Sequence, residues 1–345
     1  MNQRKQAFQK GLSTILTKPL SSRRAKICTL SPKRYNPSGM PYENQIIAGN
    51  SIDLLNAESP GWVDLIFADP PFNIGYLYHG YDDEKKADDY LDFSKAWMTA
   101  VHRALKPTGS FYLAIGDDYA AELTVIAKKI GFTMRNWIIW HYTFGQQTKA
   151  KFARSHTHIL YFTKDPKNFT FNADSVRVAS ARQTTYGDSR ANPKGKLPDD
   201  TWYLRPQEAV ESGHFATALD TWNVSRLCGT FKEREGWHGC QMPIAVLDRI
   251  IKASSNPGDT VLDPFNGSGT TCVSAVLLDR KYVGFDQSEQ YVQYARKRLE
   301  HALEASAKST PQSAVADPRR SSKVLTATDA FGRARVPRRR AAKSA

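Results

Sequence analysis

From Gln45 onward, short apolar runs alternate with longer amphipathic stretches, and this rhythm constrains the fold more than any other feature of the chain. "QIIAG" (45–49) and "VDLIFAD" (63–69) are short, branched and apolar, as buried strands are. "DDYLDFSKAWMTAVHRALK" spaces Tyr90, Phe93, Trp97, Val101 and Leu105 by three and four residues, which predicts a helix stopped by Pro107 and Gly109. A strand "SFYLAIG" and a helix "AAELTVIAKKIG" capped by Gly131 follow. "NWIIWHYTF" and "HTHILYFTK", separated by "GQQTKAK", predict a hairpin at a sheet edge. After a polar interval the alternation resumes: helix "PIAVLDRIIKASS", strand "DTVLDPF", helix "TTCVSAVLLDR", strand "KYVGFD", then a helix opened by Ser288 as N-cap. Such alternation predicts an α/β fold, a doubly wound Rossmann-like sheet, mostly parallel with an antiparallel edge hairpin.

The interval 166–225 breaks the rhythm. It is polar and turn-rich, yet it holds Trp202, Tyr203, Phe215 and Trp222, which a mere linker would waste, so it is expected to be an inserted recognition region. The expected organisation is a basic N-terminal arm (1–42), two halves of one domain (43–165 and 226–305) around that insert, and a basic tail (306–345). The net charge of +14 sits in the arms. Residues 1–42 hold nine Lys/Arg and no acid, and 306–345 hold ten against Asp317 and Asp329, which leaves −3 for 43–305. A near-neutral body with two basic arms suits a protein that follows a polyanion and releases its counterions. Solvated tails that bind nothing specific, or an organellar transit peptide at the N-terminus, fit the same composition.

Other classes find little support. No run of eighteen apolar residues provides a membrane span. Cys28, Cys228, Cys240 and Cys272 form no Cys-x-x-Cys pair, so neither a disulfide framework nor a zinc knuckle is signalled and a reducing compartment is the simpler assumption. His156 and His158 share one strand face as a metal edge would, but surface or core histidines show the same spacing, and no metal is expected.

Two segments carry chemistry. "VLDPFNGSGTT" (261–271) is a strand ending in Asp263, then a glycine turn, then a helix. Gly267 and Gly269 let backbone approach a ligand, although a purely structural strand-to-helix turn has the same look. The segment lacks the Gly-Lys-Ser/Thr of a phosphate loop; Asp263 instead sits where a cationic or amine-bearing ligand would want a carboxylate. Asp286 ends the next strand and is placed to accept bonds from ribose hydroxyls. The second segment is "DLIFADPPFNIG", a buried strand halted by Asp69-Pro70-Pro71-Phe72. Taken alone it is a strand-terminating turn.

Together and in this order, these segments resemble the β-class amino-methyltransferases of DNA, which use S-adenosylmethionine. The likeness spans most of residues 45–300 and includes "ALKPTGSFYLAIG", "HTHILYFTK" and "GTFKEREGWHGCQMP". It implies a circularly permuted sheet in which "QIIAG" follows the last strand in space and the strands ending at Asp69 and Asp263 are neighbours. It also implies roles. Asp69, Pro70, Pro71 and Phe72 would hold a base flipped out of double-stranded DNA, while Asn50, Asp263, Pro264, Phe265, Gly267, Gly269, Thr270 and Asp286 would bind the cofactor. Acceptors on the two N–H bonds of an exocyclic amine free its lone pair, Pro70 offers a stiffly held carbonyl, and Phe72 can stack on the base. Transfer would be direct, since no Pro-Cys pair that attacks cytosine carbon is present. Asp at the first position favours adenine N6; relatives acting on cytosine N4 more often carry Ser there. N4-cytosine methylation, a DNA-binding protein with an inactive cofactor site, and an RNA substrate are the alternatives. The chain departs from the family at Gly49-Asn50, where Gly-Asp is common, and at Gly239 and Met242 in "HGCQMP". A homodimer and a cognate restriction endonuclease are further expected partners, and the expected location is cytoplasmic, on the nucleoid.

Overall fold

A computed structural model describes residues 42–76, 81, 83–146, 149–184, 186–202, 235, 237 and 240–309. Residues 1–41 and 310–345 of the expected arms lie outside them, as do Tyr203, Phe215 and Trp222 of the expected recognition region.

The chain runs β1 (Gln45–Ala48), α1 (Ser51–Ala57), β2 (Val63–Ala68), α2 (Ala87–Ala104), β3 (Leu105–Ile115), α3 (Ala120–Ile130), β4 (Thr133–Gln146) and β5 (Arg154–Thr163). A 3-10 turn (Ala173–Val176), α4 (Ala181–Thr184) and β6 (Thr201–Trp202) follow, then α5 (Ile244–Ser254), β7 (Thr260–Asp263), α6 (Thr270–Leu277), β8 (Lys281–Asp286) and α7 (Glu289–Ser309). The strands form one sheet in the order β1-β8-β7-β2-β3-β5-β4-β6. Only the pairings of β5 with β3 and β4 are antiparallel; the others are parallel.

Period-two alternation sorts side chains to the two faces. Along β2, Ile66 and Ala68 face a core shared with Trp97 and Val101 of α2 and Leu123 of α3. Leu65 and Phe67 face the opposite core, with Val246, Leu247 and Ile250 of α5. Covering both faces explains the unbroken apolar runs, since a strand with helices on each side has no solvent face.

Three expectations need correction. The β4–β5 hairpin is not at the edge, because the two residues of β6 pair with Ile139 and Trp140 of β4 beyond it. Pro107 and Gly109 do not separate helix from strand: α2 ends at Ala104 and β3 begins at once. The sheet takes Gly109 because a Cβ there would lie 2.9 Å from the Asp64 carbonyl oxygen and 2.6 Å from the Leu105 side chain. The last helix also continues to Ser309, past the expected boundary at 305.

Candidate active site

β7 and β2 lie side by side, with Leu65 and Ile66 opposite Val261 and Leu262. From β2 the chain continues to β3 on one side, and from β7 to β8 on the other. Doubly wound sheets bind ligands outside the carboxyl ends of the strands at such a reversal. A cleft of about 900 Å3, including its mouth, opens there, lined by Asp69 and Pro71 on one side and by Asp263, Gly267, Thr270 and Asp286 on the other.

The glycine turn is built around buried carboxylates. Asp263 accepts bonds from the Thr271 hydroxyl (2.6 Å) and the Phe265 N–H (3.0 Å), so both its oxygens are engaged within the turn. Burial pushes its pKa up to about 7. Asp286 takes the N–H of Gly267 on one oxygen (2.9 Å) and of Ser288 on the other (2.8 Å), and burial raises its pKa as well. Gly269 has φ +77°, and a Cβ there would meet Ala295 at 2.9 Å, so α7 packs directly on its backbone. Arg298 of α7, which the sequence pattern did not single out, braces the turn from behind. Its guanidinium is buried and donates to the Ser268 carbonyl (3.0 Å) and the Thr270 hydroxyl (2.7 Å). Pro264 and Phe265 line the cleft. Asn50 does not; its side chain caps α1 by accepting the Ile52 N–H, and its neighbours Gly49 and Ser51 face the cleft instead.

This half suits S-adenosylmethionine on its own chemistry. No lysine or arginine is among the described residues lining the cleft, whereas Asp69, Asp263 and Asp286 are. An acidic, apolar-walled cleft matches a cationic nucleoside and mismatches a pyrophosphate. Each Asp286 oxygen takes one backbone N–H and keeps acceptor capacity for a ribose hydroxyl. The Asn266 side-chain nitrogen, buried in the turn, has no hydrogen-bond partner among the described residues.

On the other side, Asp69 is half-buried and Pro70 buried. The Pro71 carbonyl accepts the buried Tyr90 hydroxyl at 2.8 Å. Phe72 does not line the cleft; its ring lies over Gly116, where a Cβ would approach it to 3.2 Å. The chain then turns through Asn73 (φ +58°) and wraps around the buried Asp83 carboxylate, which accepts the N–H groups of Asn73 (2.9 Å), Ile74 (3.1 Å) and Tyr76 (3.0 Å). The Asn73 side chain bonds the Lys85 backbone in both directions and reaches the Tyr119 hydroxyl (3.0 Å). Tyr90 and Tyr119 pack ring against ring at 4.5 Å.

Next to this turn, His156 and His158 meet Asp117 at 3.3 and 3.1 Å. The Trp137 indole N–H donates to His158 Nδ1 (2.8 Å). With Nδ1 accepting, the proton of the neutral ring sits on Nε2 and points at Asp117. Burial, then the neighbouring His156, lower the His158 pKa and keep that ring neutral. A metal-bound imidazole has the reverse arrangement, a lone pair toward the metal and its other nitrogen donating. Arg154, 3.2 Å from Asp117, further disfavours a cation. The triad is therefore a hydrogen-bonded cluster.

Comparison with known proteins agrees with this geometry. A family model described as DNA methylase matches residues 63–297. The type II methyltransferase M.HpaI of Haemophilus parainfluenzae is 35% identical over 259 residues, covering 75% of this chain and 74% of that protein. The DNA adenine methyltransferase YhdJ of Escherichia coli (strain K12) is 35% identical over 265 residues, covering 76% and 84%. Among solved structures, the cytosine-N4-specific PvuII DNA methyltransferase superposes with a TM-score of 0.53 at 16% identity, covering 76% of this chain and 91% of that one, which speaks to fold alone. With a cleft that suits a cationic nucleoside and relatives this similar over most of their length, the chain belongs to the N6-adenine/N4-cytosine family of S-adenosylmethionine-dependent DNA methyltransferases.

Proposed function

We propose that the protein methylates the N6 amino group of adenine at a specific site in double-stranded DNA, by direct transfer to a base flipped out of the duplex. The observation that carries this reading is Asp69 at the mouth of the same cleft as Asp286 and as Asp263, the last of which lies 194 positions away in sequence and one strand pairing away in the sheet. The bound cofactor supplies an electrophilic methyl group. Asp69 and the Pro70 carbonyl accept the two N–H bonds of the amine, which withdraws its lone pair from the ring and turns it toward the donor. The Pro71 carbonyl accepts the Tyr90 hydroxyl, which anchors the turn that carries the Pro70 carbonyl. Stacking on the base falls to Phe72, whose ring must swing off Gly116 to reach it. On the donor side, Asp286 accepts the ribose hydroxyls, Gly267 and Gly269 let the backbone approach, and Asp263 and Thr270 hold the turn in shape. Positioning is the main catalytic contribution, so neither a metal nor a covalent intermediate is needed.

Adenine is preferred over cytosine because the tetrapeptide opens with Asp, where N4-cytosine relatives more often carry Ser. The name of the Escherichia coli relative, an adenine methyltransferase, agrees. We further assign target reading to 166–225, inserted between the two halves of a circularly permuted domain, and nonspecific DNA affinity to the basic arms. The nucleoid is then the working location, and self-association and a cognate endonuclease belong to the same proposal. Incubating unmethylated duplex DNA with the protein and labelled cofactor, then analysing the nucleosides by mass spectrometry, tests the central claim. N6-methyladenine is expected. N4-methylcytosine alone would overturn the adenine assignment, and no methylated base despite bound cofactor would point to RNA or another acceptor.

A further inference from the structure

Phe152 is 99% exposed, against 76% for Tyr186, the next most exposed large hydrophobic residue among those described. A single exposed apolar side chain is ordinarily unremarkable, so its position decides its meaning. Phe152 lies just before β5, which runs antiparallel to β3 with His158 opposite Ile115, the last residue of β3. Moving from His158 back to Arg154 therefore extends past the carboxyl end of β3, by about 13 Å at the usual strand rise. That is the end of the sheet at which Asp69 and the cleft sit, on the side away from the glycine turn.

The chain on either side of Phe152 is basic. Lys149 and Lys151 are exposed beside it, and Arg154 follows. Among the described residues the acids facing these cations are Asp117 and Asp118, and Lys151 also acts on Asp118; Arg154 bonds Asp118 through two nitrogens (2.9 and 2.6 Å) and contacts Asp117 at 3.2 Å. This pairing fixes the base of the tip, and three cations against two acids leave the tip net positive. An exposed aromatic ring between cations combines a stacking surface with phosphate partners, as single-stranded or opened nucleic acid requires.

We propose that the tip at 149–154 docks on the DNA duplex at the target. Phe152 stacks on a base uncovered when the target nucleotide leaves the helix, and Lys149 and Lys151 pair with flanking phosphates. The proposal rests on the assignment of the chain as a DNA methyltransferase and adds to it a surface that holds the opened duplex.

The test uses the full chain, unmethylated duplex DNA and labelled cofactor. Phe152→Ala is expected to lower kcat/KM on the duplex by about tenfold, the effect of one stacked base. Its cofactor affinity should not change, and Phe152→Trp should restore most of the activity. The Lys149→Gln/Lys151→Gln double variant should reduce the slope of log binding constant against log salt by about 1.8, the share of two neutralised phosphates. Wild-type transfer by Phe152→Ala would overturn the stacking role, and an unchanged salt slope in the double variant would overturn the docking. Failure of the underlying enzyme assignment would be visible separately, as absence of transfer by the unaltered protein.

Discussion

Asp69, Asp263 and Asp286 share one cleft, and what distinguishes them is how deep each lies and what its surroundings ask of it. Asp263 is buried and consumed by its turn, Asp286 is half-buried and gives each oxygen to one backbone N–H, and Asp69 lies half-buried at the mouth. The proposed roles follow these placements. Asp69→Ala should abolish methyl transfer while the cofactor dissociation constant, measured by titration calorimetry, stays within about twofold; a failure to bind cofactor would move Asp69 to the donor side. Asp263 makes a thermodynamic prediction. Its folded pKa of about 7 exceeds the ordinary 3.8, so the folded protein holds this proton more tightly than the unfolded chain. The associated stability is fully present below about pH 4 and is lost as pH rises through 7, on the order of 4 kcal/mol at most. Denaturant midpoints of the cofactor-free protein at pH 5 and 8 should therefore fall more steeply for the wild type than for Asp263→Asn, which has no proton to lose. Equal slopes would mean that ionisation of Asp263 carries no penalty in the folded state.

At the scale of elements, the turn after β2 is held by groups far from it in sequence. Three N–H donors converge on Asp83, and an amide in its place would point hydrogens at one or more of them. Asp83→Asn should lower kcat by about tenfold while sparing cofactor affinity, and should speed amide hydrogen exchange at 73–76; normal exchange in an inactive variant would separate the turn from catalysis. None of this is visible in the sequence, because a carboxylate seven to ten residues from its donors leaves no periodic trace. Arg298 has no sequence signal for the same reason, as its partners Ser268 and Thr270 lie on another element. What was legible had a local signature: continuous apolar strands, three- and four-residue helical spacing, the Gly131 cap, and the glycine turn of 261–271. The hairpin's place inside the sheet leaves no trace in the sequence, because β6 is two residues long, too short for any pattern to announce. Asn50 shows how a local rule can hide behind a family likeness: an Asn immediately before a helix is a good N-cap, and the structure uses it so.

At the scale of the whole molecule, the charge distribution poses a problem for a DNA enzyme. Residues 43–305 carry −3 and the cleft is lined by three aspartates, so the body alone should repel the phosphate backbone at long range. Removing residues 1–41 and 310–345 deletes eighteen Lys/Arg and two acids, leaving −2 on residues 42–309. If the arms supply the encounter, the truncated chain should bind DNA more weakly, and its binding should vary less steeply with salt, by about 0.9 in slope for each phosphate that the arms neutralise. Turnover at saturating DNA should be retained, since the proposed donor and acceptor halves of the cleft both lie within 42–309. The effect should therefore appear in KM for DNA, grow as salt is lowered toward about 50 mM, and shrink at high salt, where screening removes the advantage of the arms. A truncated chain with an unchanged salt slope would assign the phosphate pairing to the body and leave the arms with no part in DNA binding.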